Sequence, residues 1–186
     1  MIGTHDSYTY LKAKNKLLEK LSFLWRTQTI SIAEQKALGV KYFDVRIRRD
    51  KDKWRVCHGL VDFDLTFKTI KGILSKFPVS KVRIILERGN KKDENLFTQE
   101  INSCKNNKNL SFSCIKKGWK IVVWAESYVF KDYSYIPWHS GWTFWANLTY
   151  CNFFSTIKRN AKKNNPAVTK EMKEDGKTVY FMDYVC

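Results

Sequence analysis

Short apolar runs alternate with amphipathic stretches along most of the chain. The apolar runs have the length and β-branched content of strands, and the amphipathic stretches have the apolar spacing of helices. The predicted strands are Met1–His5, Val40–Ile47, Trp54–His58, Val82–Glu87, Lys120–Glu126 and Thr178–Val185. The predicted helices are Ile30–Leu38, Phe67–Lys76, Asn95–Cys104 and a lysine-rich helix within Ser155–Lys173. Strands that alternate with helices indicate an α/β fold with a parallel sheet.

Two features of the predicted strands favour a closed barrel over an open sheet. Several apolar strands end in an acidic residue, at Glu87, Glu126 and Asp183, and catalytic groups of α/β barrels project from such strand ends. The segment Tyr42–Arg48 alternates strictly between polar and apolar residues. Its polar side chains therefore share one face and its apolar side chains the other. The alternative is an antiparallel strand whose polar face is simply in contact with water.

The length and composition fit one folded domain that spans residues 1–186. A chain of 186 residues with 44% hydrophobic and 15% aromatic residues can bury a sizeable core, which excludes disorder as a description of the whole chain. No apolar run approaches the roughly 18 residues of a transmembrane helix. The formal net charge of +16 points to a polyanion, either nucleic acid or an anionic membrane surface. No nucleic-acid-binding motif is present, so nucleic acid is the less favoured partner.

The cysteines and the first residues exclude few functions. The five cysteines form no C-x-x-C pair, so a zinc site or a thioredoxin motif is not expected. No signal peptide precedes Ile-Gly-Thr-His-Asp at the start of the chain. A start so close to these residues fits a mature or trimmed form and leaves the compartment open.

Two of the three histidines lie in settings that suit catalysis. His5 precedes Asp6 in a small, polar segment, and His58 lies at the end of a strand before Gly59. Phosphodiester cleavage by an internal hydroxyl needs a base, an acid and a cation for the phosphate. Two imidazoles and the fork of Arg46 would supply these groups if the fold brings them together. The alternatives are surface histidines and a structural ion pair between Asp44 and Arg46; His139 is not expected to be catalytic.

Four blocks of sequence carry a resemblance to a known family. They are Gly3-Thr4-His5-Asp6-Ser7, residues 27–35 (Thr-Gln-Thr-Ile-Ser-Ile-Ala-Glu-Gln), residues 39–48 (Gly-Val-Lys-Tyr-Phe-Asp-Val-Arg-Ile-Arg) and Cys57-His58-Gly59. In order, spacing and identity they resemble the catalytic X region of phosphatidylinositol-specific phospholipase C. The resemblance covers residues 3 to about 87, and later only the apolar strands and Met182-Asp183-Tyr184-Val185 match.

The resemblance implies a compact, distorted TIM (β/α)8-like barrel and acid/base catalysis. His5 matches the general base that deprotonates the inositol 2-hydroxyl, and His58 matches the general acid that protonates the diacylglycerol oxygen. Arg46 matches the arginine that binds the phosphate in bacterial members. Asp6 matches the carboxylate that supports the arginine and the acid histidine, and Asp183 is the candidate that orients the base.

The resemblance also bears on metal dependence. Calcium-dependent members carry an acidic residue where this chain has Arg46, and a guanidinium there would repel calcium. The chain therefore resembles the bacterial, metal-independent type, for which no cofactor is expected. Asp44 matches a strand carboxylate near the phosphate. Glu87 falls at the position where calcium-dependent members have a calcium ligand and bacterial members have a lysine. Binding of a divalent ion near Glu87 therefore remains an alternative.

The predictions for recognition of the lipid head group and for membrane binding depend on residues in the later part of the chain. Pocket candidates there are Glu126, Tyr128 and Trp145, and core packing is the alternative for such aromatic residues. Nine Trp and Tyr residues lie between positions 119 and 150, and with nearby lysines they favour an anionic membrane surface. We expect a monomer, secreted or peripheral to the membrane, that cleaves phosphatidylinositol. The alternatives are a phosphodiesterase for another lipid head group and an inactive membrane-binding barrel.

Overall fold

The computed structural model describes residues 1–22, 25–77, 80–104, 165 and 178–183, and the backbone of residues 110–115, 121–125 and 129–133. The helices are α1 (Lys16–Lys20), α2 (Ile32–Ala37), α3 (Ile70–Leu74) and α4 (Lys91–Asn102). The strands are β1 (Ile2–Thr4), β2 (Tyr42–Asp50), β3 (Lys53–His58), β4 (Val61–Phe67), β5 (Lys81–Glu87), β6 (Leu110–Ile115), β7 (Ile121–Ala125), β8 (Val129–Tyr133) and β9 (Thr178–Met182). Among these residues no helix is long and apolar enough to cross a membrane.

The strands form one mixed sheet in the order β7-β6-β5-β2-β1-β9-β8. All neighbours on this path pair in parallel except β6 and β7, which are antiparallel. The carboxyl ends of β1, β2, β5 and β9 therefore lie at one edge of the sheet. The α/β class is confirmed. Among the described strands the path ends at β7 and β8, so closure into a barrel stays a prediction.

A hairpin departs from the predicted all-parallel sheet. β3 pairs with β2 and β4 in antiparallel orientation. The turn between β2 and β3 has two residues, Lys51 and Asp52, and so short a connection can join only antiparallel strands. The expectation of a parallel sheet is therefore wrong at this hairpin and at β6–β7. The predicted helix from Phe67 starts too early, because Phe67 ends β4 and Thr69 caps α3.

Helix starts follow side-chain caps. Ser31 and Glu34 form a capping box that begins α2, and Asn90 and Asp93 form one that begins α4. The second box places the start of α4 four residues before the predicted Asn95. The lysine-rich helix predicted within residues 155–173 lies outside the described part of the chain.

The two faces of β2 meet different environments. Phe43, Val45 and Ile47 are buried in the main hydrophobic core, which α3 and α4 also line. On the opposite face Tyr42 packs edge-on against Phe181, with ring centroids 5.5 Å apart. The polar residues of that face, Asp44 and Arg46, are only 0% and 7% exposed. The alternative of a water-facing polar strand is therefore wrong, and buried charges line the inner face.

Candidate active site

The carboxyl edge of the sheet gathers charged side chains from separate parts of the chain. His5 and Asp6 follow β1, Glu87 ends β5 and Asp183 follows β9. β3 runs antiparallel to β2 with Val56 opposite Ile47, and this register brings His58 alongside the part of β2 that carries Arg46. The predicted site residues found together and buried at this edge are His5, Asp6, Asp44, Arg46, His58, Glu87 and Asp183. Three other predicted residues, Glu126, Tyr128 and Trp145, lie outside the described residues, as does His139.

The turn after β1 aims Asp6 into the site. Asp6 has a φ of 47°, a left-handed conformation that Asp and Asn tolerate better than most residues. Ser7 ties this turn to β2: its amide donates to the Asp44 carbonyl at 2.8 Å. The Asp44 amide donates in return to the Ser7 hydroxyl at 3.0 Å. The side chain of Asp6 is thus fixed between β1 and β2.

The carboxylate of Asp6 contacts both histidines and the arginine. Its Oδ2 lies 2.9 Å from His5 Nδ1 and 3.1 Å from His58 Nε2. Its Oδ1 forms an ion pair with Nε of Arg46. Burial by itself would raise the pKa of Asp6, but the charges of Arg46, His5 and His58 outweigh it and hold that pKa well below its usual range. Asp6 is therefore a permanent anion shared by the three candidate catalytic groups.

His5 lies between carboxylates on one side and a guanidinium on the other. Its Nδ1 is 3.3 Å from Asp183 Oδ1, and its Nε2 is 2.8 Å from Nη2 of Arg46. Burial favours a lower pKa for His5, but the charge of Asp6 and hydrogen bonds to Asp183 and Asp6 raise the pKa to about 10.

The raised pKa favours a protonated His5, whereas the contact with Arg46 favours a neutral His5. A guanidinium has only donors, so its contact with Nε2 is a hydrogen bond only when the imidazole is neutral with its proton on Nδ1. A proton on Nε2 and this Arg46 contact therefore exclude each other. When Arg46 moves away from Nε2, the carboxylates around Nδ1 make Nε2 a strong proton acceptor.

Glu87 links Arg46 to the turn after His58. Its Oε1 lies 2.9 Å from Nη1 of Arg46. Its Oε2 accepts the amide of Gly59 at 2.8 Å and the thiol of Cys57 at 3.6 Å. Burial and the charge of Glu87 raise the pKa of Cys57, so this thiol stays protonated. Both oxygens of Glu87 are thus bound by protein groups.

Two carboxylates around Arg46 and the imidazole of His5 lie close enough together to be candidate metal ligands. His5, Asp6 and Asp44 can each offer one ligand atom, with these atoms within 4.8 Å of one another. However, Nε of Arg46 is paired with Asp6 and lies 3.9 Å from Asp44 Oδ2. Burial lowers and the surrounding carboxylates raise the pKa of Arg46, which stays above its ordinary value. A permanent cation at this place does not fit a calcium ion, which needs six to eight oxygen ligands.

Arg83 is a further buried charge, next to Asp44, that was not among the predicted site residues. Its Nη2 lies 3.2 Å from Asp44 Oδ2, and its guanidinium lies 4.2 Å from the centre of the Phe181 ring. The alternation of residues in β5 could have identified Arg83, because Val82, Ile84 and Leu86 belong to the main hydrophobic core. The same alternation puts Arg83 and Glu87 on the inner face.

Comparison with solved structures matches this fold over nearly the whole chain. Phosphatidylinositol-specific phospholipase C of Listeria monocytogenes superposes with a TM-score of 0.59 at 16% identity, covering 99% of this chain and 87% of that one. The Staphylococcus aureus enzyme superposes with a TM-score of 0.56 at 15% identity, covering 99% and 85%. The chain has the fold of the phosphatidylinositol-specific phospholipases C.

Sequence comparison agrees with this phospholipase fold over a shorter stretch. A PI-PLC X-box domain-containing protein from Dictyostelium discoideum is 37% identical over 83 residues. The match covers 39% of this chain but only 11% of that protein. No protein-family model matches the chain. The resemblance that the sequence motifs predicted is confirmed, whereas the complete TIM-like barrel stays a prediction.

Proposed function

We propose that the chain cleaves phosphatidylinositol into diacylglycerol and a cyclic inositol phosphate by general acid/base catalysis, without a metal ion. The observation that carries this proposal is the contact of one buried carboxylate, Asp6, with His5, His58 and Arg46. A base, an acid and a phosphate-binding cation are then within reach of one phosphodiester. The similarity to phosphatidylinositol-specific phospholipases C supports the choice of substrate.

Binding of the substrate phosphate starts the reaction. Its oxygens compete with His5 Nε2 for the Nη2 group of Arg46, since a phosphate accepts the two parallel hydrogen bonds of a guanidinium better than an imidazole does. Nε2 of the neutral imidazole is then free to take the proton of the inositol 2-hydroxyl. Because the pKa of His5 is raised to about 10, the neutral form and with it the rate should increase as the pH rises towards that value. Asp6 and Asp183 beside Nδ1 stabilise the imidazolium that forms.

The leaving group needs the second histidine. As the 2-hydroxyl oxygen bonds to phosphorus, the bond from phosphorus to the diacylglycerol oxygen breaks. His58 uses Nε2 for Asp6, and its Nδ1 is buried and makes no hydrogen bond among the described residues. We assign Nδ1 as the atom that gives its proton to the diacylglycerol oxygen. One proton is accepted by His5 and one is donated by His58, so the charges balance.

The remaining predicted residues keep their roles as proposals. Asp44 and Glu87 were expected to contact substrate, and both hold arginines in the substrate-free protein. We propose that they limit how far Arg46 moves when phosphate binds. Glu126, Tyr128 and Trp145 stay predictions for the inositol pocket.

Two exposed leucines and the exposed lysines of α1 support docking on an anionic membrane surface. Leu60, two residues after His58, is 67% exposed, and Leu17 in α1 is 65% exposed. Lys16 and Lys20 of α1 are exposed as well. Leucines that enter the interface and lysines that attract anionic lipid act together at such surfaces. We expect Leu60→Ser to weaken binding to phosphatidylinositol vesicles in a sedimentation assay. Leu38→Ser should leave it unchanged, because Leu38 lies before the amino end of β2, away from the carboxyl edge that carries the site.

Phosphorus NMR of phosphatidylinositol vesicles in excess EDTA tests the proposed reaction. We expect the signal of a cyclic inositol phosphate with the unaltered protein and none with His5→Ala. Product only after addition of calcium would contradict the metal-independent assignment. No product in either condition would contradict the proposed activity and favour another head group or an inactive membrane-binding barrel.

A further inference from the structure

A buried glutamine connects the two strand ends that carry the candidate base and its carboxylate. Gln28 has no exposed surface and lies in the segment before α2. Its Nε2 donates to the Met182 carbonyl at 2.9 Å and to the His5 carbonyl at 3.2 Å. One side-chain amide thus bridges the end of β1 and the end of β9.

The bridge lies where the regular ladder between these strands ends. The last paired residues of β1 and β9 are Thr4 and Met182, and the His5 amide still donates to the Met182 carbonyl at 3.2 Å. Asp183 is the next residue along the chain. Gln28 therefore extends the link between the two strands to the level at which His5 and Asp183 leave the sheet.

Gln28 is itself held firmly. Its backbone amide donates to the Thr9 hydroxyl at 2.9 Å, and the amide of Thr27 donates to the same oxygen at 3.1 Å. The Thr27 hydroxyl donates to the His5 carbonyl at 3.0 Å. A firmly held donor fixes the position of the carbonyls it binds. Loss of this donor would remove one of the hydrogen bonds that each carbonyl accepts, while the His5 amide and the Thr27 hydroxyl would remain as donors.

We propose that Gln28 is a positioning residue that sets the separation of His5 Nδ1 and Asp183 Oδ1, which is 3.3 Å. This inference rests on the proposed function for the role of His5 as the base. A small displacement of a catalytic group lowers the rate of the chemical step. Gln28 touches no reacting atom, so its effect passes through His5. The charged groups that face the His5 ring are Asp6, Asp44, Arg46 and Asp183.

A matched pair of variants separates positioning from mere stability. Gln35 is also fully buried, and its Nε2 donates to the carbonyls of Ser7 and Ile30 at 2.9 Å and 2.8 Å. Gln28→Met and Gln35→Met each remove two such bonds without adding a charge. We expect similar losses of thermal stability in both variants. Gln28→Met should lower the pKa of His5 in an NMR titration and lower kcat on phosphatidylinositol by about tenfold or more with KM unchanged. Gln35→Met reaches His5 through the Ser7 turn beside Asp6, so any shift that it causes should persist when Asp183 is replaced.

A second substitution tests whether the effect passes through Asp183. In an Asp183→Asn background, Gln28→Met should change the pKa of His5 little further. A full additional shift of the His5 pKa in that background would overturn the proposal. If Gln28→Met does not fold, Gln28→Asn, which keeps the amide but shortens its reach, carries the same expectation. The NMR titration needs no substrate, so inactivity of the unaltered protein would count against the proposed function and leave the Gln28 result decisive.

Discussion

Replacement of Asp6 by asparagine removes the charge on which the whole site depends. The carboxylate is 1% exposed and contacts His5, His58 and Arg46. Asparagine keeps the size of the side chain and adopts the left-handed backbone of this position, whose φ is 47°, without the cost that alanine would bring. The substitution therefore isolates the charge.

The expected losses follow from these contacts. At an effective dielectric constant of about 20, two unit charges 4 Å apart interact by about 4 kcal/mol. Removal of one partner of a buried ion pair costs about 3–5 kcal/mol, because the other charge is left unpaired. That is a large share of a typical free energy of unfolding of about 5–15 kcal/mol. Burial lowers the pKa of His5, and the charge of Asp6 is the largest interaction that raises it, so Asp6→Asn should lower that pKa.

Urea denaturation and an NMR titration of the histidines measure both effects. The control is Asp52→Asn, which removes an exposed carboxylate from the turn between β2 and β3. It should change the free energy of unfolding by less than about 0.5 kcal/mol. A loss below about 1 kcal/mol in Asp6→Asn, or an unchanged pKa of His5, would refute the view of Asp6 as the shared anion of the site.

Three further predictions concern the arginine, the pH dependence of stability and the metal. Arg46→Lys should lower kcat/KM by at least about tenfold, because an ammonium cannot form the parallel bonds of a guanidinium; near-normal kinetics would contradict this. The pKa of His5 is raised to about 10, so its contribution to the free energy of unfolding is complete below about pH 6.5 and is lost as the pH rises towards about 10. Urea denaturation across this range should show the decline, and His5→Gln should flatten it; an equal decline in both would contradict the assignment. Overnight dialysis against EDTA should leave turnover unchanged. A loss of turnover that calcium restores would contradict the assignment of Arg46 as the cation of the site.

Patterns with a period of two, and motifs of fixed spacing, were the sequence features that carried the most structural information. The alternation in β2 correctly separated the core residues from the buried charges Asp44 and Arg46. The acidic ends of apolar strands correctly placed Glu87 and Asp183 at one edge. Parallel strands bring their carboxyl ends together wherever they lie in the sequence, so residues separated by up to 178 positions could be assigned to one region.

Other parts of the fold depend on contacts that the sequence does not display. The strand β4 alternates strictly over Val61–Phe67, and this signal was available but missed. The partners of Glu87 could not be predicted, because Arg46 reaches it from β2 and Gly59 from the turn after β3. Likewise, nothing in the sequence around Gln28 indicates that its amide reaches Met182, 154 positions along the chain.

The most direct test of the two-histidine mechanism compares two leaving groups. His5→Ala and His58→Ala would be assayed with phosphatidylinositol and with an inositol phosphodiester whose phenolate leaving group needs no proton. We expect His58→Ala to lose at least about 100-fold in rate on phosphatidylinositol and to recover most of it on the activated ester, since only the acid step is bypassed. His5→Ala should be inactive on both substrates. Equal losses of His58→Ala on the two substrates would contradict its assignment as the general acid.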